Sequence, residues 1–553
     1  MLIPFRDVGS GGLNFDMRSN QLPVNQWSDA RNVRFDNNRV IKANNFKLIN
    51  DSNGVLVVPT EPYFIQQYRN PSEAFWILAG LADVWAVDDD ESAAAITKIT
   101  RAASQYTTIS SDRWNGGMFN GVGVLNNGRD VPQVWSPVNL ATLLQDLPNW
   151  PASYKAKVIR PYLNFLVAFD ITKASGTEYP IMVKWSDAAD PGTVPVTWDE
   201  TDPTHLAGEQ VLADGPFSII DAVPYAGALY IMTEQTTWAM TFIGGQYVFS
   251  FQRIFGQAGT IAQGCAAPIK DKLFVVTRDD IILHDGHTLQ SIADKRVRKF
   301  FFDQASIVTV DRSHNPVVEP NSIPGMFVVP HVARSEMWIC YPVSGESTMA
   351  QALVWNWKYD TWTFMDLPRC HFAASELPAP ESTGDTWDED SVTTWDGETT
   401  QVWDDPSFLR YKEKFRAAMV SPAFNVAEYD RDRFTDVTGA AYRSYAERRG
   451  LAPIGLMYDQ SVMNDKSAMK QIKGLWLTIN GQTGAVLQVY IGGYDHPDDS
   501  PTEQGPFAYT IGTTDYLDVY MVNRFFSIRV EETTSNYWEL TEYQLDIMKV
   551  SGY

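Results

Sequence analysis

The chain has 553 residues, 44% hydrophobic and 20% charged, with 18 Trp, 24 Tyr and a formal charge of −23. That supplies apolar material for several packed domains and excludes a globally disordered chain. The acidity excludes a protein built to grip nucleic acid by neutralising phosphates, though not one that surrounds DNA and lets it slide. Cys265, Cys340 and Cys370 are widely separated. They give neither a metal spacing nor a disulfide framework, and point to folding in a reducing cytoplasm. The opening MLIPFRDVGSGG lacks a signal-peptide core, and no stretch approaches 18 apolar residues. No leader and no membrane-spanning segment are therefore expected.

Residues 1–50 begin polar and then read as a hairpin. Strands RNVRF and RVIKA flank the turn residues Asp36, Asn37 and Asn38. We read this as an arm that adds a strand to another element. Leu13, Val33, Phe35 and Val40 are its candidate assembly contacts, within the chain or between subunits. Deleting residues 1–45 is expected to impair assembly and leave the rest folded.

From 51 to 379 the pattern is paired apolar strands ending near a tryptophan. Trp85, Trp135, Trp185 and Trp238 stand 50, 50 and 53 residues apart. Segments 272–286 and 336–367 keep the strand pairing without that register. Paired strands repeating at this interval suggest the blades of a β-propeller; a β-sandwich with long loops would give similar strands without the period.

Residues 380–407 hold the sharpest repeat. Between Asp385 and Asp405, Trp-Asp pairs recur every eight residues, with eight carboxylates and no Lys or Arg. An even interval puts Trp387, Trp395 and Trp403 on one face of an extended chain. They are candidate anchors, with Asp388, Asp396 and Asp404 as candidate channel-facing groups. Plain edge packing with solvated carboxylates accounts for the same spacing. Residues 408–465 read as a connecting region, in which FLRYKEKFRAAM suits either a short helix or a strand. Alternation returns in 466–553, with Asn480-Gly481 read as a hairpin turn. This is a C-terminal β module, or the blade that closes a ring. The fold class expected is all-β: a β-propeller with an N-terminal arm and a C-terminal β module.

Catalytic signatures are missing. There is no G-x-S-x-G elbow, Walker A loop, H-E-x-x-H or paired C-x-x-C. His284 and His287 flank Asp285-Gly286, which explains their spacing as a turn. Asp88, Asp89, Asp90 and Glu91 lack the spaced oxygens and glycine of a calcium loop and read as a solvated turn. No enzyme and no cofactor are expected.

An ordered series of stretches resembles the tail nozzle proteins of short-tailed bacteriophages, also called tail tubular protein B or tail stabilisation proteins. The series begins with Gly11-Gly12-Leu13-Asn14, Leu22-Pro23 and Ala30-Arg31-Asn32-Val33-Arg34-Phe35, then Val40-Ile41-Lys42. It continues through YPIMVKWSDAADPG (179–192), LFVVTRDDIILHDG, RVRKFF (296–301), VWNWKYDTWTF (354–364) and the acidic Trp repeat. YAERRGL (445–451) and the closing RFFSIRVEETTSNYWELTEYQLDI complete it. The resemblance implies a propeller-containing homo-oligomer, usually a hexamer, in the virion tail, synthesised in the bacterial host cytoplasm. It implies partners too: the portal–adaptor ring above, tail fibres or a needle, and double-stranded DNA passing through without sequence-specific binding. A glycan-binding or glycan-cleaving propeller tail protein is the alternative, since tryptophans stack on sugars and carboxylate pairs hydrolyse them. A cellular scaffold propeller is a third.

Overall fold

The computed structural model describes the whole chain except residues 52–53, 72, 90–95, 214, 216, 246, 303–324, 343–348, 374–413, 422, 458–460 and 552–553. The fold is all-β. Six four-stranded antiparallel meanders follow one another along the chain, spanning 64–98, 115–146, 155–211, 219–255, 266–291 and 327–373. Trp85, Trp135, Trp185 and Trp238 all lie on the third strand of their meander. The 50-residue interval is therefore the blade repeat of a β-propeller.

Each pair of neighbouring blades encloses its own apolar cluster. Tyr68 and Trp135 meet between blades 1 and 2, and Ile159 and Val134 between 2 and 3. Phe169 and Ile231 meet between 3 and 4, Met232 and Val275 between 4 and 5, and Phe274 and Ile339 between 5 and 6. The outer strands of blades 1 and 2, Thr97–Lys98 and Gln145–Asp146, are two residues long. Strands that short offer little edge for pairing with another chain.

The ring is completed by strands from three parts of the sequence. The end of Thr361–Ala373 pairs with Arg416–Met419, which pairs with Val426–Asp430, which pairs with an N-terminal strand, Asn45–Leu48. This composite blade packs Phe46, Ala417 and Tyr429 against Trp338 and Val354 of blade 6. Ala418 and Val426 pack against Ile65, Trp76 and Leu78 of blade 1. The closing strands thus come from before 50 and from 416–430, and not from the segment after 466.

The five N-terminal strands are β1 (Leu2–Phe5), β2 (Asp29–Arg31), β3 (Val33–Asp36), β4 (Arg39–Lys42) and β5 (Asn45–Leu48). β3 and β4 form the expected hairpin, with Asn37 and Asn38 both at positive φ, as a two-residue type I′ turn requires. Residues 444–551 form a β-sandwich with this arm. One sheet joins β1, β3 and β4 to Met469–Gly481, Tyr516–Asn523 and Trp538–Ser551. The other runs from β2 through Ser444–Leu451, Phe525–Glu532 and Val486–Tyr494 to Thr502–Thr510. The strand Met469–Gly481 continues through Asn480-Gly481, and the chain turns at 482–485 instead. Gly481 remains paired with Trp538, so the expected turn falls inside the sheet.

β2 lies parallel to Thr361–Ala373 of blade 6 and antiparallel to Ser444–Leu451 of the sandwich. Residues 1–45 are therefore a seam between two bodies and no appendage, and β5 is part of the ring. Truncation at 45 would strip an edge from blade 6 and from both sheets of the sandwich. Phe46, 1% exposed between the composite blade and blade 6, should behave as a core residue. Phe46→Ala is expected to lower stability by about 3–5 kcal/mol. The exposed Arg6→Ala should change it by no more than about 0.5 kcal/mol. Denaturant unfolding of the full chain measures both.

Candidate functional site at the arm junction

The arm's polar groups explain how the seam is held. Arg34 on β3 forks onto Glu336 on the second strand of blade 6, with Nε–Oε1 at 2.6 Å and Nη2–Oε2 at 3.3 Å. Both side chains are buried, and the indole of Trp338 donates to the same carboxylate at 3.0 Å. Burial works against the carboxylate, yet Arg34 outweighs it and holds Glu336 below the usual carboxylate range. Burial likewise opposes the charged guanidinium, and Glu336 keeps Arg34 above its ordinary value. On β4, Lys42 pairs with Glu532 of the sandwich, both fully buried. Lys42 also donates to the Thr534 carbonyl at 2.7 Å and lies 4.5 Å from the Tyr442 ring. Burial pushes the Lys42 pKa down against the pull of Glu532.

Backbone contacts continue the seam. Leu13 N donates to Trp362 O at 3.1 Å, Phe15 N to Arg296 O at 2.8 Å, and Ser28 N to Glu447 O at 3.0 Å. Arg296 Nη1 returns to Gly11 O at 2.7 Å. Gly12, at φ 61, approaches Thr361 so closely that a Cβ would fall 2.8 Å from its side chain. Phe15 stacks on Phe300 at 4.1 Å and meets Phe364 edge-on. Asn32 bonds Asp366 in both directions, at 2.6 and 2.8 Å.

Leu13, Val33, Phe35 and Val40 all lie in the core of this seam, between 0 and 2% exposed. Their contacts are between elements of one chain, and their side chains present no surface to another subunit. Trp387, Trp395, Trp403, Asp388, Asp396 and Asp404 lie outside the described residues. Asp89 belongs to no solvated turn. It is 8% exposed, accepts from the Trp76 indole at 2.6 Å, and pairs with Lys414 and Arg416 of the composite blade. No sequence signal marks Arg34–Glu336 or Lys42–Glu532, because the partners stand 302 and 490 positions apart.

Polar contacts link the first strands of different blades and the segments ahead of them. Arg160 of blade 3 pairs with Asp221 of blade 4 at 2.6 Å, and Asp221 accepts from Gly264 N ahead of blade 5 at 2.8 Å. Arg113, ahead of blade 2, reaches the Met326 carbonyl ahead of blade 6 at 3.5 Å. Cys265 is buried beside these groups, its thiol pushed up to about 12 by burial. That is no environment for a reactive thiolate. Among the described residues no group of three or more His, Cys, Asp or Glu side chains is placed to hold a metal.

Two measurements follow from these buried charges. Removing one partner strands the other, so Arg34→Met or Glu336→Leu alone should each cost about 3–5 kcal/mol. The double variant should recover most of that loss, because an apolar pair needs no desolvation of charge. Denaturant midpoints of the three variants check it. His284 is 1% exposed between Tyr230 and Phe255, with neither ring nitrogen hydrogen-bonded. Burial pushes its pKa down to about 4 from 6.5. A depressed value means its contribution is complete above 6.5 and lost as pH falls towards 4. Stability of wild type relative to His284→Phe should fall by up to about 3 kcal/mol over that window and be flat above pH 7.

No protein-family model and no curated protein matches the chain. Solved structures resemble it in fold. The β-propeller domain of Cps50 (Swd1) from Myceliophteria thermophila is 8% identical, with a TM-score of 0.39, over 69% of this chain and 99% of that one. The WD40 β-propeller domain of Doa1 is 9% identical, with a TM-score of 0.36, over 70% and 97%. BamB from Moraxella catarrhalis is 7% identical, with a TM-score of 0.32, over 71% and 91%.

Proposed function

We propose that this chain is a structural subunit of the tail nozzle of a short-tailed phage. Several copies, six in the family it resembles, form a ring that continues the DNA channel below the portal and adaptor and seats fibres or a needle. The observation that carries this reading is a convergence. The stretches that resemble nozzle proteins are scattered over the sequence, yet most of them meet at one seam. Gly11–Asn14 and Ala30–Phe35 pack there with Arg296–Phe301, Trp355–Phe364 and Tyr445–Leu451. The closing segment joins them through Trp538, whose indole donates to Ser444 at 3.0 Å. Among the described residues, the 179–192 stretch and part of 273–286 sit in blades away from it; the acidic Trp repeat lies outside the described residues. That the resembling stretches share one construction element, the weave of arm, propeller and sandwich, is what supports the reading.

Two further features suit the reading. Arg113, ahead of blade 2, reaches the Met326 carbonyl ahead of blade 6, and a contact between non-adjacent blades suits a DNA channel formed between copies. The charge of −23 per chain keeps phosphates from adhering to a wall they must slide past. The subunit performs no catalysis in this role.

Native mass spectrometry combined with averaged axial views of the purified protein, alone and with its adaptor ring, tests the proposal. Six copies of 62.2 kDa, about 373 kDa with an axial opening, are the expected outcome. A chain that stays monomeric in the presence of the adaptor, or that binds or cleaves capsular saccharide, would sink it.

A further inference from the structure

The outward face of the sandwich carries an aromatic and acidic constellation. Elsewhere this chain secures arginines in a repeated way: the guanidinium lies on an aromatic ring while a carboxylate takes its fork. Arg443 lies 4.3 Å from the Tyr445 ring and pairs with Glu531 through two bonds of 2.7 Å. Arg529 lies 4.2 Å from the Tyr490 ring and pairs with Glu503 at 2.9 and 3.0 Å. Arg416 lies 5.1 Å from the Trp76 ring and pairs with Asp89 and Glu428.

Trp476 and Tyr516 repeat the aromatic half of this arrangement. They are paired in register on adjacent strands, ring centroids 4.9 Å apart and planes at 48°. Trp476 is 41% exposed, and every other described tryptophan is buried or half-buried. Tyr516 is fixed in place. Its hydroxyl donates to the Lys473 carbonyl at 3.1 Å, and its ring covers Gly474, where a Cβ would sit 2.1 Å from that hydroxyl. Gly474 pairs in register with Asp518 on one side and Asp546 on the other. The two carboxylates therefore stand roughly 10 Å apart on the same face. Burial first, then Asp518 and Asp546, pushes the Tyr516 pKa up, which places both carboxylates in the field of the phenol. Asp546 already holds a cation, the chain's own amino terminus, at 2.9 Å. Asp518 is exposed, and among the described residues no cation lies within salt-bridge distance of it.

We infer that this face docks an arginine-bearing segment of a partner protein, its guanidinium laid against Trp476 and Tyr516 and forked by Asp518. Charge complementarity selects the occupant. The Asp518 carboxylate disfavours an acidic surface, including the net-acidic bulk of a second copy. A planar guanidinium satisfies ring and carboxylate together, which a lysine ammonium does less well. A saccharide would use the rings and has no need of the Asp518 charge. This docking chemistry goes beyond the nozzle reading and does not depend on copy number.

The test is fluorescence anisotropy of a fluorescein-labelled Gly-Arg-Gly-Arg-Gly peptide on the full-length protein, with maltotriose as competitor. Asp518→Asn and Trp476→Ala are each expected to weaken binding roughly tenfold. Glu73→Gln, an exposed carboxylate in blade 1, should leave it unchanged and so reports non-specific attraction to an acidic protein. No binding to wild type overturns the inference. Equal affinity in Asp518→Asn, an equal loss in Glu73→Gln, or displacement by maltotriose does so too.

Discussion

Four of the first five strands pair with strands made hundreds of residues later, and the rest of the architecture depends on that pairing. β1 adds to Trp538–Ser551, β2 sits between Thr361–Ala373 and Ser444–Leu451, and β5 completes a blade begun at 370–373 and continued at 416–430. The β3–β4 hairpin and the Leu13–Trp27 bridge pair locally. Closing such long loops costs little more than closing shorter ones, since the entropy grows with the logarithm of length. The penalty falls on the rate, because non-local pairing must be found before it is rewarded. The reward is a ring whose closing blade joins an N-terminal strand to strands at 416–430, and a propeller tied by the same arm to its sandwich.

Buried charge fixes where the seam lies. A lone hydrophobic strand could slide by two residues and still present an apolar face. Arg34 and Lys42 remove that freedom, because each must meet one carboxylate, Glu336 on the ring or Glu532 on the sandwich. Such pairs add little net stability over an apolar replacement, but any misregister buries two unpaired charges. Placed on adjoining strands and aimed at different bodies, the two pairs set arm, propeller and sandwich in a single relation. Within these two pairs acid and base cancel, so they add nothing to the net charge of −23.

Local signals carried much of the fold. The tryptophan interval marks the third strands of blades 1 to 4 because each blade is a contiguous meander, so its period is written along the chain. The Asn37-Asn38 turn is legible for the same reason, since two residues at positive φ need no distant partner. What stayed hidden is non-local. Nothing in NFKL or RAAM announces that β5 and Arg416–Met419 belong to one blade. Leu13, Val33, Phe35 and Val40 read correctly as apolar groups awaiting a partner, but pattern alone does not tell an intrachain partner from another subunit. Asp89 looked solvated because it stands in an acidic run, and the cations that bury it, Lys414 and Arg416, are more than 320 positions away. Asn480-Gly481 misled for a different reason: Gly481 adopts an extended conformation at φ 154 inside the strand, where its missing side chain admits the Tyr537 carbonyl.

The borders of blades 1 and 2 differ from those of the sandwich, although blade 4 ends in the seven-residue Phe249–Phe255. Blades 1 and 2 end in two-residue strands, too short to recruit a neighbour. The sandwich ends in Thr502–Thr510 on one sheet and Tyr516–Asn523 on the other, nine and eight residues long. Pro506 interrupts the donors of the first, as suits an edge guarded against pairing. The second carries no proline and alternates Tyr516, Asp518 and Tyr520 outward over a buried Leu517, Val519 and Met521. Tyr520 is 69% exposed and Trp476 beside this strand 41%. Aromatic side chains that remain in water forgo the transfer free energy that the chain collects from its other tryptophans. A sequence that buries or half-buries every other described indole, yet leaves this one beside an unpaired carboxylate, concentrates its unspent binding capacity on the sandwich, with the propeller as the rigid body behind it.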